Sequence, residues 1–274
     1  MGRMILCTSR RAENPYIFPV SDTQIYTVEE LCYYIYHNIF EMTEECFGKK
    51  LTDWFRNELG MEVIASKLEI LDENQGTIKD RIISIMCSCD YYTEQDIKAL
   101  LTIISEIENL PYHGKLKLKA DNYLKFGKYS AARKEYDRIL TGGYVVNLNP
   151  LQYGNILHNR SMACFYMGSF AEALSGFKEA YSRNNNPESI KHYLYGLLLN
   201  GENDTFREEA EKYGISEEDR SELVNDVSRA FVDAAQSKNY MDMVKELKYG
   251  DKNEAHKKAS KRLEIIKEQY KGIR

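Results

Sequence analysis

Histidines and paired carboxylates are the residues of this chain whose chemistry could support catalysis or hold a metal ion. The five histidines are distant from one another and have no cysteine or acidic partner at the spacing of metal ligands: His37, His113, His158, His192 and His256. Carboxylate pairs such as Glu44 with Glu45 fall on ordinary helix faces, and a pair performs acid–base chemistry only within a cleft. Phosphate-binding loops and the motifs of zinc proteases and serine hydrolases do not occur. We therefore expect a protein that is not an enzyme and that uses no cofactor or metal.

The cysteines offer a second possible chemistry, either metal binding or redox exchange. Six of them are spread through apolar segments, and Cys87 and Cys89 form the only close pair. A metal or redox site usually has two residues between its cysteines, often with a second pair or histidines nearby. Because neither feature occurs here, we interpret the cysteines as free, buried thiols with a structural role.

The composition indicates a globular protein. Of the 274 residues, 43% are hydrophobic and 29% are charged, and the net charge of −5 disfavours a general nucleic-acid binder. No run reaches the roughly 18 apolar residues of a membrane-spanning helix. The apolar stretch before Arg10 is too short for a secretion signal. We expect a cytoplasmic protein without membrane insertion.

Helical spacing dominates the chain after its N-terminal segment. Residues 1–26 contain short β-prone pieces broken by prolines, which predicts an extended arm or a small hairpin. Thr27 and Glu30 form a capping box, and helix-spaced apolar residues then predict about five helices in the region 27–110. The segment 28–40 has two apolar stripes, one aliphatic and one rich in tyrosine. It is either an inner helix buried between neighbours or an exposed tyrosine ridge that contacts a partner.

Two later segments, 115–140 and 155–180, match each other when Gly127 is set against Gly168. An apolar residue begins the first helix and a small residue follows one turn later. The glycine then turns the chain, and a small residue and an aromatic residue follow in the second helix. The matched pairs are Leu116 with Leu157, Ala120 with Ser161, Tyr129 with Phe170, Ala132 with Ala173, and Tyr136 with Phe177.

This pattern resembles the tetratricopeptide repeat, in which paired helices stack on their neighbours. Leucine replaces the usual tryptophan, and Lys119 and Arg160 replace an apolar residue. The seven extra residues between the two copies fit in the loop around 141–150.

The resemblance implies an all-α fold with an α-solenoid. A degenerate third pair is predicted at 187–214, which gives a repeat region at 111–215. The region 27–110 is predicted to be bundle-like, and 216–274 is predicted to form a C-terminal helical cap.

In such arrays the first helix of each pair lines an inner groove that binds a protein or a peptide. The corresponding candidates are Lys117, Asp121 and Leu124 in the first copy and Asn155, His158, Asn159, Met162, Phe165 and Tyr166 in the second. Some relatives hold a peptide carboxylate with cations and asparagines, but Asp121, Ile190 and Leu194 stand where such groups are needed. Met162, Phe165 and Tyr166 instead favour an apolar groove for a helix or extended segment, or packing between repeats.

The function that these observations favour is a non-catalytic adaptor whose partner is a protein or peptide. Two alternatives stay open. Residues 251–274 hold eight Lys or Arg against four Asp or Glu and could bind nucleic acid, although such a segment is more often a solvated cap. The tyrosine-rich segment 28–40 could instead mediate self-association.

Overall fold

The computed structural model describes residues 7–249 and, beyond them, residues 254, 256–258, 260, 261, 263 and 264. Within this part the chain forms thirteen α-helices with defined bounds and two strands of two residues each. The all-α class is therefore confirmed. Most of the basic segment 251–274, like the first six residues of the predicted N-terminal arm, lies outside the described residues.

The chain divides into two compact units, one ending at Phe126 and the other beginning at Gly127. The elements of the first unit are β1 (Tyr16–Ile17), β2 (Gln24–Ile25), α1 (Val28–His37), α2 (Lys49–Asn57), α3 (Glu62–Glu73), α4 (Ile78–Met86), α5 (Glu94–Glu108) and α6 (Tyr112–Lys125). Those of the second unit are α7 (Tyr129–Thr141), α8 (Pro150–Tyr166), α9 (Phe170–Asn184), α10 (Pro187–Leu199), α11 (Asn203–Lys212), α12 (Glu217–Gln236) and α13 (Lys238–Tyr249).

A small hairpin precedes the helices of the first unit. The two strands pair antiparallel, with Tyr16 opposite Ile25 and Ile17 opposite Gln24. The Tyr16 ring is buried, and its hydroxyl donates a hydrogen bond to the carbonyl of Cys46 at 2.9 Å. The hairpin is thus part of the core of this unit.

Helix α1 has one fully buried face and a second face that is half-buried. Its aliphatic stripe is buried, and Leu31 and Ile35 have no exposed surface. On the tyrosine-rich stripe, Tyr33 and Tyr36 are half-buried, whereas His37 and Phe40 are exposed. The helix ends at His37, three residues earlier than the predicted segment, and a 3₁₀ turn follows. The structure therefore agrees with an inner helix for the aliphatic stripe.

Three cysteines are not buried, so the expectation of buried thiols is wrong for them. Cys7 and Cys87 are exposed and Cys89 is partly exposed, whereas Cys32, Cys46 and Cys164 are buried. Cys87 is exposed because it is the C-terminal cap of α4, where the chain turns toward solvent. The apolar residues around it belong to the helix and do not extend into the turn.

Helix α6 packs within the first unit. The side chain of Asn122 is buried and donates to the carbonyl of Phe40 at 2.6 Å, and Lys119 contacts Glu45 at 3.0 Å. The boundary between the units falls after Phe126, inside the segment predicted as the first repeat. The pairing of 115–126 with the helix that follows it stays a prediction.

Helices α8 and α9 of the second unit pack closely against each other. A Cβ added at Gly176 would lie 2.1 Å from the Ser161 hydroxyl oxygen, so a larger residue there would force this hydroxyl to move. The Ser161 hydroxyl is itself satisfied, because it donates to the carbonyl of Leu157 at 2.8 Å. Between the two helices Gly168 adopts a left-handed conformation, with φ of +79°, which side chains disfavour. A turn glycine and small contact residues therefore set the spacing of this helix pair.

Arg160 shows how this unit accommodates a charge at a position where the repeat has an apolar residue. Its Nε lies 2.5 Å from Oδ1 of Asp137 on α7, and its Nη2 contacts Glu172 on α9. Arg133 of α7 also reaches Glu172, at 3.0 Å. Charge-assisted hydrogen bonds of this kind satisfy the partly buried guanidinium and link three helices.

Candidate binding surface

The nine candidate residues fall in both units. Lys117, Asp121 and Leu124 lie on α6 of the first unit, and the other six lie on α8 of the second. The positions on α8 follow a spacing of three or four residues, so they share one face of that helix.

The α6 candidates include an internal ion pair. Nζ of Lys117 lies 2.5 Å from Oδ2 of Asp121, one helical turn away, and both side chains are about one third exposed, at 38% and 32%. Leu124 is half-buried. The positive charge of Lys117 is thus matched by a carboxylate of its own helix.

The polar end of the α8 candidates is built around His158. Nδ1 of His158 lies 2.9 Å from the hydroxyl of Ser189 on α10, and its ring centre is 5.2 Å from that of His192. One turn earlier on α8, the Asn155 side-chain oxygen accepts a hydrogen bond from Asn184 of α9 at 3.0 Å. These contacts fix the orientation of both polar side chains.

His158 is a neutral imidazole at pH 7. Burial and the neighbouring His192 lower its pKa to about 4, against a smaller opposing effect of Glu188. A neutral ring has one donor and one acceptor nitrogen. The contact with Ser189 uses one of these nitrogens.

The aromatic end of the α8 candidates combines a packed ring and an exposed ring. Phe165 is half-buried and meets Phe170 and Phe177 of α9 at centroid distances of 5.2 and 6.4 Å. Tyr166 is 55% exposed and stacks on Tyr129 of α7 at 4.7 Å. Phe165 therefore contributes to the packing of α8 on α9 within one predicted pair, while Tyr166 presents an exposed aromatic ring whose position is fixed by stacking.

Helix α10 completes this surface. A Cβ at Gly196 would lie 3.5 Å from the Phe165 ring, so α10 approaches α8 closely at the aromatic end as well as at the histidines. The match between the two repeat-like segments did not identify His192 and Gly196 as candidate residues. Their spacing of four residues nevertheless places them on one side of a helix in the third predicted pair. We call this surface the α8–α10 face; it consists of Asn155, His158, Asn159, Met162, Phe165, Tyr166 and His192, whereas Gly196 itself is buried.

A small apolar pocket lies beside this face, between α10 and α12. It has a volume of about 190 Å³, and Leu194, Ile215 and Leu223 line it. Glu188, Lys191, Asp219 and Glu222 also contribute to its lining. Ile190 and Leu194, which stand where a carboxylate clamp would need cations, are buried in the core of this unit.

Within the part of the chain that the structure describes, no three His, Cys, Asp or Glu side chains converge so that they could hold a metal ion. In the same residues, no helix has both the length and the apolarity that crossing a bilayer requires.

Comparison of the chain with protein-family models, with curated proteins and with solved structures gives no match in any of the three. The resemblance to tetratricopeptide repeats therefore stays a prediction from the matched segments.

Proposed function

We propose that this chain is a non-catalytic cytoplasmic adaptor that binds a protein or peptide segment on the α8–α10 face. The observation that carries the proposal is an exposed aromatic ring beside a fixed row of polar side chains on two adjacent helices. Tyr166 is 55% exposed although it stacks on Tyr129. His158 and Asn155 continue the same helix face toward its other end.

The chemistry of this face fits a peptide backbone with one apolar anchor. Side-chain amides and imidazoles can donate to and accept from a main chain. Tyrosine provides a large apolar contact with little loss of side-chain entropy, which is why it is common at binding surfaces. Rings and amides already held by neighbours lose less freedom when a partner binds.

A tetratricopeptide-like array would give this face its concave shape. The glycine turn at Gly168 and the buried small residues Ser161 and Ala173 support this array, because they are features that the matched segments predict. In such an array α8 and α10 would be first helices of successive pairs, lining one groove.

The first test compares Tyr166→Ala with Tyr240→Ala, which removes a similarly exposed tyrosine (46%) on α13. The tagged full chain is used to capture partners from native extract, and the affinity for each recovered protein is then measured with purified components. Tyr166→Ala should weaken binding by about tenfold or more, the effect of removing a hot-spot residue, a class in which tyrosine is enriched. Tyr240→Ala should leave binding unchanged.

Thermal unfolding of both variants controls for loss of fold. Tyr166→Ala loses one stacked pair, which contributes on the order of 1 kcal/mol, so the variant should remain folded. Phe165→Ala is not a clean surface test, because its ring packs on Phe170 and Phe177. If a folded Tyr166→Ala protein binds every partner as tightly as the wild type, the α8–α10 face is not the binding site.

Self-association is the second candidate function, favoured by an aromatic cluster in the first unit. The ring of Tyr36 stacks on that of Tyr92 with their centres 4.3 Å apart. The ring centre of Tyr33 lies 4.2 Å from that of His37, which is exposed. Light scattering at several protein concentrations tests this candidate. A mass that stays at one chain over the whole range would exclude it.

A further inference from the structure

Two cysteines that are distant in sequence meet in the first unit. The sulfur atoms of Cys32 and Cys89 are 3.4 Å apart, although 57 positions separate the residues. Cys32 lies in the middle of α1 and has no exposed surface, whereas Cys89 is partly exposed in the turn between α4 and α5. One thiol of the pair is thus accessible to a small molecule, and the other is sheltered directly behind it.

We propose that Cys32 and Cys89 form a hydroperoxide-reactive thiol pair, in which Cys89 is oxidised first and Cys32 then closes an intramolecular disulfide. This site is independent of the α8–α10 face, which belongs to the other unit.

The chemistry proceeds in two balanced steps. The Cys89 thiolate attacks one oxygen of the hydroperoxide, the O–O bond breaks, and the second oxygen leaves as hydroxide or alkoxide and takes up a proton. Cys89 becomes a sulfenic acid, oxidised by two electrons, while the peroxide is reduced. The Cys32 sulfur then attacks the Cys89 sulfur, the S–O bond breaks, and hydroxide leaves with the Cys32 proton as water. The products are a disulfide with two waters from hydrogen peroxide, or a disulfide with one alcohol and one water from an alkyl hydroperoxide.

The surroundings of the two sulfurs favour this order. A hydrogen bond from Cys32 lowers the pKa of the Cys89 thiol, and the backbone N–H of Tyr91 lowers it further, against the effects of burial, Glu29 and Asp90. The same contact and burial raise the pKa of Cys32. Because the thiolate is the nucleophile toward peroxides, the accessible sulfur is the one prepared to react first.

Closure of the disulfide needs only a local movement. A disulfide bond is about 2.0 Å long, so the two sulfurs must approach by roughly 1.4 Å. Cys89 lies in the turn that follows α4, and Cys32 is held within α1, so movement of the turn brings Cys89 to Cys32. The resulting bond would tie α1 to this turn and restrict the unfolded chain.

The test uses the full chain with Cys7→Ser and Cys87→Ser, since both of these thiols are exposed and react on their own. This reduced background protein, which keeps four of the six cysteines, is treated with hydrogen peroxide and quenched, and its free thiols are counted under denaturing conditions. The proposal predicts a fall from four thiols to two and a loss of the mass of two hydrogen atoms. The product should stay a monomer with a raised thermal unfolding temperature.

Mapping and a matched variant identify the bond. Trypsin should release one cross-linked species joining residues 12–49 to residues 82–98, and fragment ions should place the bond at Cys32 rather than at Cys46. When Cys89→Ser is added to the same background protein, all three remaining thiols should stay free after treatment with hydrogen peroxide. Four free thiols in the treated background protein, or a bond at Cys46 or between chains, would overturn the proposal.

Discussion

At the scale of single residues, Glu29 shows how one buried carboxylate orders the chain ahead of the hairpin. Its Oε1 accepts hydrogen bonds from the backbone N–H groups of Thr8 and Ser9 at 3.0 and 2.9 Å, and the Ser9 hydroxyl donates to Oε2. Burial alone would raise the pKa of this carboxyl group, but the hydrogen bonds from Ser9 and Thr8 outweigh it and lower the pKa to about 2. The ionised form is therefore the one that the fold stabilises.

Glu29 should make the stability of the protein depend on pH in a defined window. Because the folded pKa lies below the ordinary value of 4.5, the stabilisation is complete above pH 4.5 and is lost as the pH falls toward 2. Glu29→Gln should lower the free energy of unfolding above pH 4.5 by about 1–3 kcal/mol and remove this part of the pH dependence. Urea unfolding at several pH values measures both effects.

Glu73→Gln, which changes an exposed carboxylate on α3, is the matched control. It should change the unfolding free energy by less than about 0.5 kcal/mol. If Glu29→Gln keeps the pH profile of the wild type, the carboxylate does not hold residues 8 and 9 as described.

At the scale of elements, the helix pair α8 and α9 depends on the absence of a side chain at Gly176. In an ordinary helix interior, replacing glycine by alanine stabilises by about 1 kcal/mol. Here the added methyl group would lie 2.1 Å from the Ser161 hydroxyl oxygen. Gly176→Ala should therefore destabilise the protein, by about 1–3 kcal/mol as overpacking usually does.

A second substitution separates this clash from other effects of alanine. Once the hydroxyl is removed, the next nearest atom is Cβ of Ser161 at 3.3 Å, a distance that a small shift can accommodate. Gly176→Ala with Ser161→Ala should regain most of the lost stability in chemical denaturation. A double variant no more stable than Gly176→Ala alone would mean that α8 and α9 do not meet at these residues.

The sequence was informative about elements where the pattern is local. The capping oxygens of Thr27, Thr77 and Ser216 each accept from a backbone N–H three residues later, and such caps are legible from residue types alone. The glycine turn at Gly168 and the small contact residue Ser161 followed from the match between the two segments. Helix ends such as that of α1 were less accurate, since tertiary packing decides where the last turn stops.

Features that depend on contacts between residues distant in the chain could not be predicted from the sequence. The meeting of Cys32 with Cys89 requires α1 to pack against α4, and no periodic pattern encodes that choice. The contribution of His192 to the candidate face was missed for the same reason. The repeat pattern describes each helix pair separately, whereas the α8–α10 face arises where helices of two pairs meet.

At the scale of the whole molecule, the two proposals occupy different units. The α8–α10 face lies after Gly127, and the thiol pair lies before Phe126. Failure of one proposal therefore does not decide the other. The central claim is that a partner chain lies along α8 and α10.

Site-specific photo-crosslinking tests that claim most directly. A photoreactive amino acid is placed at position 166 on α8, at position 192 on α10, or at the exposed position 182 on α9, in otherwise unchanged full-length protein. We predict that one partner protein is cross-linked by the photoreactive amino acid at position 166 and at position 192, but not at position 182. Absence of a cross-link from position 166, or the same products from all three positions, would contradict it.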